Sequence, residues 1–123
     1  MKHANLNFGL AVLGALFGFA LLIVMALPAT ALADEDALAL AKKSGCLACH
    51  SVEKKVVGPA WQDVSARYKG DAGARELLIA KVKAGGKGNW TEVTGGVPMP
   101  PYSPRVADAD IEKLVDFVLS LAK

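Results

Sequence analysis

Apolar and polar positions divide the 123-residue chain into two unlike parts. From Phe8 to Leu27 every residue is apolar or glycine, and Pro28 and then Ala31-Leu32-Ala33 follow. From Asp34 onward the apolar residues thin out and recur at helical spacing. Leu38, Leu40 and Ala41 predict a helix over Glu35–Ser44, with Asp34–Asp36 placing negative charge in its first turn and Lys42 and Lys43 placing positive charge in its last. Gly45 follows as a terminator able to take a left-handed backbone. Trp61, Val64 and Tyr68 mark one side of a short helix over Ala60–Tyr68, and Leu77, Leu78 and Val82 an apolar set over Ala74–Lys83. Ile111, Leu114, Val115, Val118 and Leu119 repeat through a last helix over Asp108–Leu121, whose start Asp108 and Asp110 favour. No alternating run of useful length is present, so the expected fold class is all-α, with about four helices.

Between these segments the chain is irregular. Ser51–Pro59 lacks helical periodicity, and Ala84–Gly96 is dominated by glycine. A phosphate-loop reading of those glycines fails, because the G-K-[ST] ending and a preceding strand are both missing. The stretch reads instead as a loop wrapping a cofactor edge. Pro98-Met99-Pro100-Pro101 can be neither helix nor central strand, since proline removes donors and fixes the backbone. It reads as a stiff, extended loop carrying a methionine.

The amino-terminal part has the layout of a secretory signal: Lys2, the apolar run, then small residues for cleavage. The expected cut follows Ala33, giving a signal over 1–33 and one domain over 34–123. The apolar run is also long enough to cross a bilayer, so an uncleaved anchor is the alternative. Either arrangement exports the domain, which in a Gram-negative cell means the periplasm. Much of the mean hydropathy of +0.33 comes from this segment. Only Lys2 of the 14 basic residues lies in it, which leaves 13 basic against 12 acidic residues and a net charge of +1. That balance gives no reason to expect a nucleic-acid partner.

The candidate chemistry lies in Cys46-Leu47-Ala48-Cys49-His50, a C-x-x-C-H run. Two thiols at this spacing add to the vinyl groups of a haem as thioethers, and His50 reaches the iron from the proximal side. A redox dithiol leaves the histidine without a task and calls for a βαβ surround. A structural zinc site needs further ligands, and no Cys or His follows His50. Both cysteines are used by the motif, so no structural disulfide remains despite the oxidising compartment. A domain this small buries a marginal core, and a haem face of several hundred Å2 at about 25 cal/mol per Å2 adds on the order of 10 kcal/mol.

Beyond Ala33, His50 is the only histidine and Met99 the only methionine. A lone methionine is often gap-filling core. Met99, however, stands among prolines in a loop without apolar periodicity, which favours it as the second axial ligand, a soft thioether that stabilises ferrous iron. Lysine, water or an open position are the alternatives. An open position would suit gas or peroxide chemistry, for which the chain supplies no distal acid–base group.

The joint order of features resembles a known family. A helix entering C-x-x-C-H, then Val56-Val57-Gly58-Pro59-Ala60, a central helix, Trp90, Pro98-Met99-Pro100-Pro101 and a terminal amphipathic helix is similar to class I cytochromes c of the small bacterial c-551/c-552 type. The resemblance implies a small cytochrome c fold around one covalent haem c, with Cys46 and Cys49 as thioether carriers and His50 and Met99 as axial ligands. It also implies that the Pro59 carbonyl orients His50 and that Trp90 hydrogen-bonds a haem propionate; a plain core aromatic is the alternative reading of Trp90. Gly45 and Phe117 resemble the crossing of first and last helices, glycine allowing close approach of the ring. Two departures stand out: Tyr102 where the family often has asparagine, and a longer Thr91–Gly96 link.

The function so implied is non-enzymatic: a monomeric, periplasmic carrier of single electrons between a membrane donor and a terminal reductase or oxidase. Leu47, Ala48, Val56, Val57, Pro100 and Pro101 would form its apolar docking patch. Lys42, Lys43, Lys54 and Lys55 are either steering charges for acidic partners or simply solvated. The alternatives are a membrane-tethered oxidase or reductase subunit and an open-site haem enzyme or sensor.

Overall fold

The computed structural model describes residues 28–122, so the apolar run and any anchor it forms lie outside the described residues. Helix α1 spans Ala29–Lys43, a 3-10 turn covers Cys46–Ala48, and α2 spans Trp61–Arg67. Helix α3 covers Ala74–Ala84, α4 is the single turn Thr91–Thr94, and α5 spans Asp108–Ser120. Among the described residues there is no strand. One isolated antiparallel bridge joins Gly86 to Met99.

Helix α5 is the hub, packing against α1, α2 and α3. Its buried stripe of Ile111, Leu114, Val115 and Phe117 recurs at the three- and four-residue spacing that puts side chains on one helical face. Ala41 of α1, Trp61 of α2, Cys46, Tyr102 and Val106 complete the buried core. Across the outer side of α3 and α5, Arg75 donates to both carboxylate oxygens of Asp116 at 2.6 and 3.0 Å, and to Glu112 at 3.3 Å. These carboxylates hold the Arg75 guanidinium firmly protonated, although an exposed cluster of this kind adds little stability.

The helical pattern predicted the elements well and their margins less well. Helix α1 begins at Ala29, not Glu35, because Pro28 presets the backbone before the good helix formers Ala29, Ala31, Leu32 and Ala33. The carboxylates Asp34–Asp36 therefore fall beyond the first turn, which is free of acidic residues, while Lys42 and Lys43 do occupy the last. The expected cut after Ala33 lies within this helix. Residues 28–36 are exposed throughout, and α1 begins to pack at Ala37 and Leu38. Among the described residues the expected count of about four helices becomes five through α4, which forms inside the stretch read as irregular.

Gly45 requires a separate correction. A Cβ added there would meet no atom within 4 Å, so close approach of the Phe117 ring is not what selects glycine. The left-handed backbone at φ 82° is, as it turns the chain from α1 into the cysteine motif. Leu77 also departs from its apolar set, being 50% exposed on the outer side of α3, while Leu78 and Val82 face inward.

Ser65 fastens the end of the hub helix. Its hydroxyl, 1% exposed, donates to the Leu119 carbonyl at 2.9 Å and accepts from the Ala122 amide at 2.8 Å. Ser65→Ala leaves a half-buried carbonyl and a half-buried amide without their partner. Guanidinium unfolding of the intact protein is expected to show a loss of about 1–3 kcal/mol, with the optical spectrum unchanged.

Candidate functional site

The site begins where Gly45 swings the chain out of α1. In the 3-10 turn that follows, the amides of Cys49 and His50 both donate to the Cys46 carbonyl, at 3.2 and 3.0 Å. The motif is thereby wound into a compact turn with Cys46 buried and Cys49 half-buried. Burial pushes the Cys46 thiol above its ordinary value, so the group behaves as a neutral apolar side chain. The next loop folds back over this turn: the Val57 and Gly58 amides donate to the Cys49 carbonyl at 3.2 and 2.7 Å.

That fold-back fixes His50. Its Nδ1–H donates to the Pro59 carbonyl at 2.9 Å, which leaves the Nε2 lone pair as the ring's available donor to a metal. The ring stacks on Trp61 with centroids 5.7 Å apart and planes at 23°, and Trp61 meets the Phe117 ring edge-on at 6.1 Å. Burial lowers the affinity of the imidazole for a proton, partly opposed by the bond to Pro59. Glycine at position 58 is a requirement here, since a Cβ would stand 2.5 Å from His50 Cε1 and 2.9 Å from Nδ1.

A cleft, open at its mouth, runs from this motif toward α3 and the methionine loop. Cys46, Cys49, His50, Pro59, Trp90 and Met99 all line it, so the six residues singled out in the sequence converge on one space. The rest of the wall is largely aliphatic and aromatic: Val57, Val64, Leu78, Val82, Leu114, Val115 and Val118.

Met99 is half-buried and packed against the core cluster. Trp90 is also half-buried, and the Arg67 guanidinium lies 4.6 Å from its ring centroid while donating to the neighbouring Asn89 carbonyl at 3.0 Å. Tyr102 is buried directly after the proline block, with Arg105 over its ring at 4.7 Å. Burial pushes its hydroxyl above the usual tyrosine range. Gly58, Arg67, Arg105 and Lys81, which lines the cleft, carry no site assignment in the sequence. Gly58 carried a readable signal, a glycine immediately before a candidate orienting proline. The other three are cations whose placement depends on tertiary packing.

The donor set decides between metals and cofactors. Among the described residues no three His, Cys, Asp or Glu side chains gather, so structural zinc lacks its ligands. No βαβ unit surrounds the cysteines, which removes the redox-dithiol reading. Two thiols and a pre-oriented imidazole at one side of a large apolar cleft do fit a covalently held haem.

Comparison with known proteins agrees. The cytochrome c family model matches residues 27–122. The chain belongs to the cytochrome c family. It is 55% identical over 97 residues to cytochrome c-551 of Allochromatium vinosum, covering 79% of this chain and 95% of that protein. It is 52% identical over 90 residues to cytochrome c2 of Rhodocyclus tenuis, covering 72% and 94%. The crystal structure of Nitrosomonas europaea cytochrome c552 superposes with a TM-score of 0.61 at 46% identity, over 68% of this chain and 98% of that one. Cytochromes c are electron-transfer haem proteins, and this chain carries one covalently attached haem c with its iron, Cys46 and Cys49 fitting the attachment motif. The small class I fold expected from the sequence is the observed one.

Proposed function

We propose that this cytochrome is a periplasmic one-electron carrier whose haem is held by Cys46 and Cys49 and ligated by His50 and Met99. The convergence of those four residues on one apolar cleft carries the reading. A haem with one imidazole and one thioether ligand supplies a single-electron couple with no exchangeable coordination position. His50 is oriented by Pro59 and wedged between Gly58 and Trp61, which supports a ligand kept in one geometry through both oxidation states. Trp90, steadied by Arg67, would donate its indole N–H to a propionate, and Thr94 of the longer link and Val97 just after it add to the wall beside it. The largely aliphatic lining around Met99 favours the neutral thioether as a ligand. That chemistry suits a carrier and not an enzyme.

The partners are redox proteins: a membrane donor and a terminal reductase or oxidase, met by a monomer. Leu47, Val56 and Val57 are 37%, 47% and 39% exposed beside the haem motif, and exposed Pro100 lies at the methionine loop, which supports a small apolar docking patch. Lys42, Lys43, Lys54 and Lys55 are exposed on the flanking segments and favour acidic partners. Export is supported by the exposure of residues 28–36, where a cut after Ala33 would disturb no packing. Among the described residues no helix is long and apolar enough to cross a membrane.

The purified ferric protein is expected to be low-spin and to show a sulfur-to-iron charge-transfer band that Met99→Ala abolishes. A high-spin wild-type spectrum, or carbon monoxide binding readily to the ferrous wild type, would instead establish an open site. Docking is read from electron self-exchange, where two copies meet edge to edge. Val56→Glu sets like charges against each other and is expected to slow it at least about tenfold without altering the spectrum. An unchanged rate would move the contact surface elsewhere. Amino-terminal sequencing of the protein purified from its host is expected to start at Asp34, whereas a start upstream of Phe8 would mean a tethered carrier.

A further inference from the structure

The methionine loop is attached to the protein through the end of α3. Of residues 98–104, Pro98, Pro100, Pro101 and Pro104 have no amide hydrogen. The remaining donors all go to one place. The Met99 amide donates to Gly86 at 3.0 Å, Tyr102 to Val82 at 3.1 Å and Ser103 to Lys83 at 3.4 Å, while the Gly86 amide returns a bond to the Met99 carbonyl at 2.8 Å. Val82 and Lys83 belong to the last turn of α3, whose carbonyls have no intrahelical partner. The loop that carries Met99 is therefore also the carboxy-terminal cap of α3.

Gly85 sits at the centre of this contact. Its backbone, φ 69° and ψ −156°, lies in a region essentially reserved for glycine. A Cβ there would stand 2.5 Å from the Met99 carbonyl oxygen, 2.7 Å from the Pro101 nitrogen and 2.8 Å from the Pro100 carbonyl carbon. All three are backbone atoms of a proline-stiffened segment that cannot yield by rotating a side chain. Gly86 is different, since its Cβ would meet only the flexible end of Lys81, at 3.3 Å.

We propose that Gly85 is a positioning residue for Met99: the missing side chain lets the end of α3 lie against Met99–Pro101, and this contact determines where the methionine sulfur is presented. The inference rests on Met99 being an axial ligand. Any side chain at position 85 lifts the loop off α3 and withdraws the sulfur, leaving the Cys46–Pro59 half of the site intact. Gly70, with positive φ of 80° and nothing within 4 Å of its would-be Cβ, lies off the cleft and provides the control for replacing a positive-φ glycine without a contact.

The test uses the holoprotein with haem attached. Gly85→Ala is expected to lose most of the sulfur-to-iron charge-transfer band and to bind carbon monoxide in the ferrous state at least about tenfold more tightly. Gly70→Ala is expected to leave both at wild-type values. A Gly85→Ala protein with wild-type band and carbon monoxide affinity, alongside a Met99→Ala protein that has lost the band, overturns this inference alone. A band that survives Met99→Ala overturns the ligand assignment and this inference with it. Should Gly85→Ala yield no folded holoprotein, amide hydrogen exchange on the wild type decides. When added imidazole displaces the sulfur, the Gly86 and Met99 amides are expected to lose protection together; if both stay protected, the loop is not what moves and the inference falls.

Discussion

One hydrogen bond, from His50 Nδ1 to the Pro59 carbonyl, organises the attachment half of this molecule. An imidazole offers two nitrogens, and a site that must present one of them reproducibly has to occupy the other. Pro59 does so with a carbonyl whose own position is set by neighbours. The Gly58 amide is tied to Cys49, and the Trp61 amide donates to the Ser51 carbonyl at 2.9 Å. The bond thus closes a ring of backbone contacts running from the cysteine motif through Ser51 and back over Val57 and Gly58. Within that ring the imidazole fits only because position 58 has no Cβ, and it is supported on its far side by Trp61 and, through Trp61, by Phe117 of α5. Ligand geometry and the packing of the hub helix are one continuous structure.

The same continuity explains why so short a domain devotes its core to a cleft. The buried stripe of α5 is shared: Ile111 and Phe117 close the contacts with other helices, while Leu114, Val115 and Val118 line the cleft. Apolar area on that face is buried by protein at one end and is available to the haem at the other. At about 25 cal/mol per Å2 the cofactor's contribution to stability is comparable with that of several core side chains.

How much of this was legible in the sequence follows from the range of each determinant. The C-x-x-C-H run and the heptad-like spacing of Ile111, Leu114, Val115 and Val118 are local patterns, and the chemistry and helices they predict were found. Helix α1 starts earlier than Glu35 because Ala29–Ala33, which read in the sequence as the end of a signal, are also good helix formers and carry the helix back to Pro28. Gly45 was assigned its left-handed turn correctly and a packing role wrongly. The first depends on its own dihedral angle, and the second on the distance to a helix far along the chain. Arg67 over Trp90 and Arg105 over Tyr102 join positions that carry no joint pattern, and cations next to helix ends look solvated until a fold brings an aromatic face to them.

The methionine loop makes the same distinction in a less obvious way. Its prolines announced stiffness, but stiffness alone gives no position, and nothing in the block states what it is anchored to. The answer lies in a shortage common to both partners. A proline-rich segment has few amide hydrogens to place, and a helix end has carbonyls that no residue of the helix can satisfy. Met99, Tyr102 and Ser103 supply the former to Gly86, Val82 and Lys83. Each deficit is met by the other, so the loop needs no sheet and no long insertion to be held. The cost is a dependence on close backbone approach, and it is at such an approach, where α3 gives way to Gly85, that a side chain of any kind has no room.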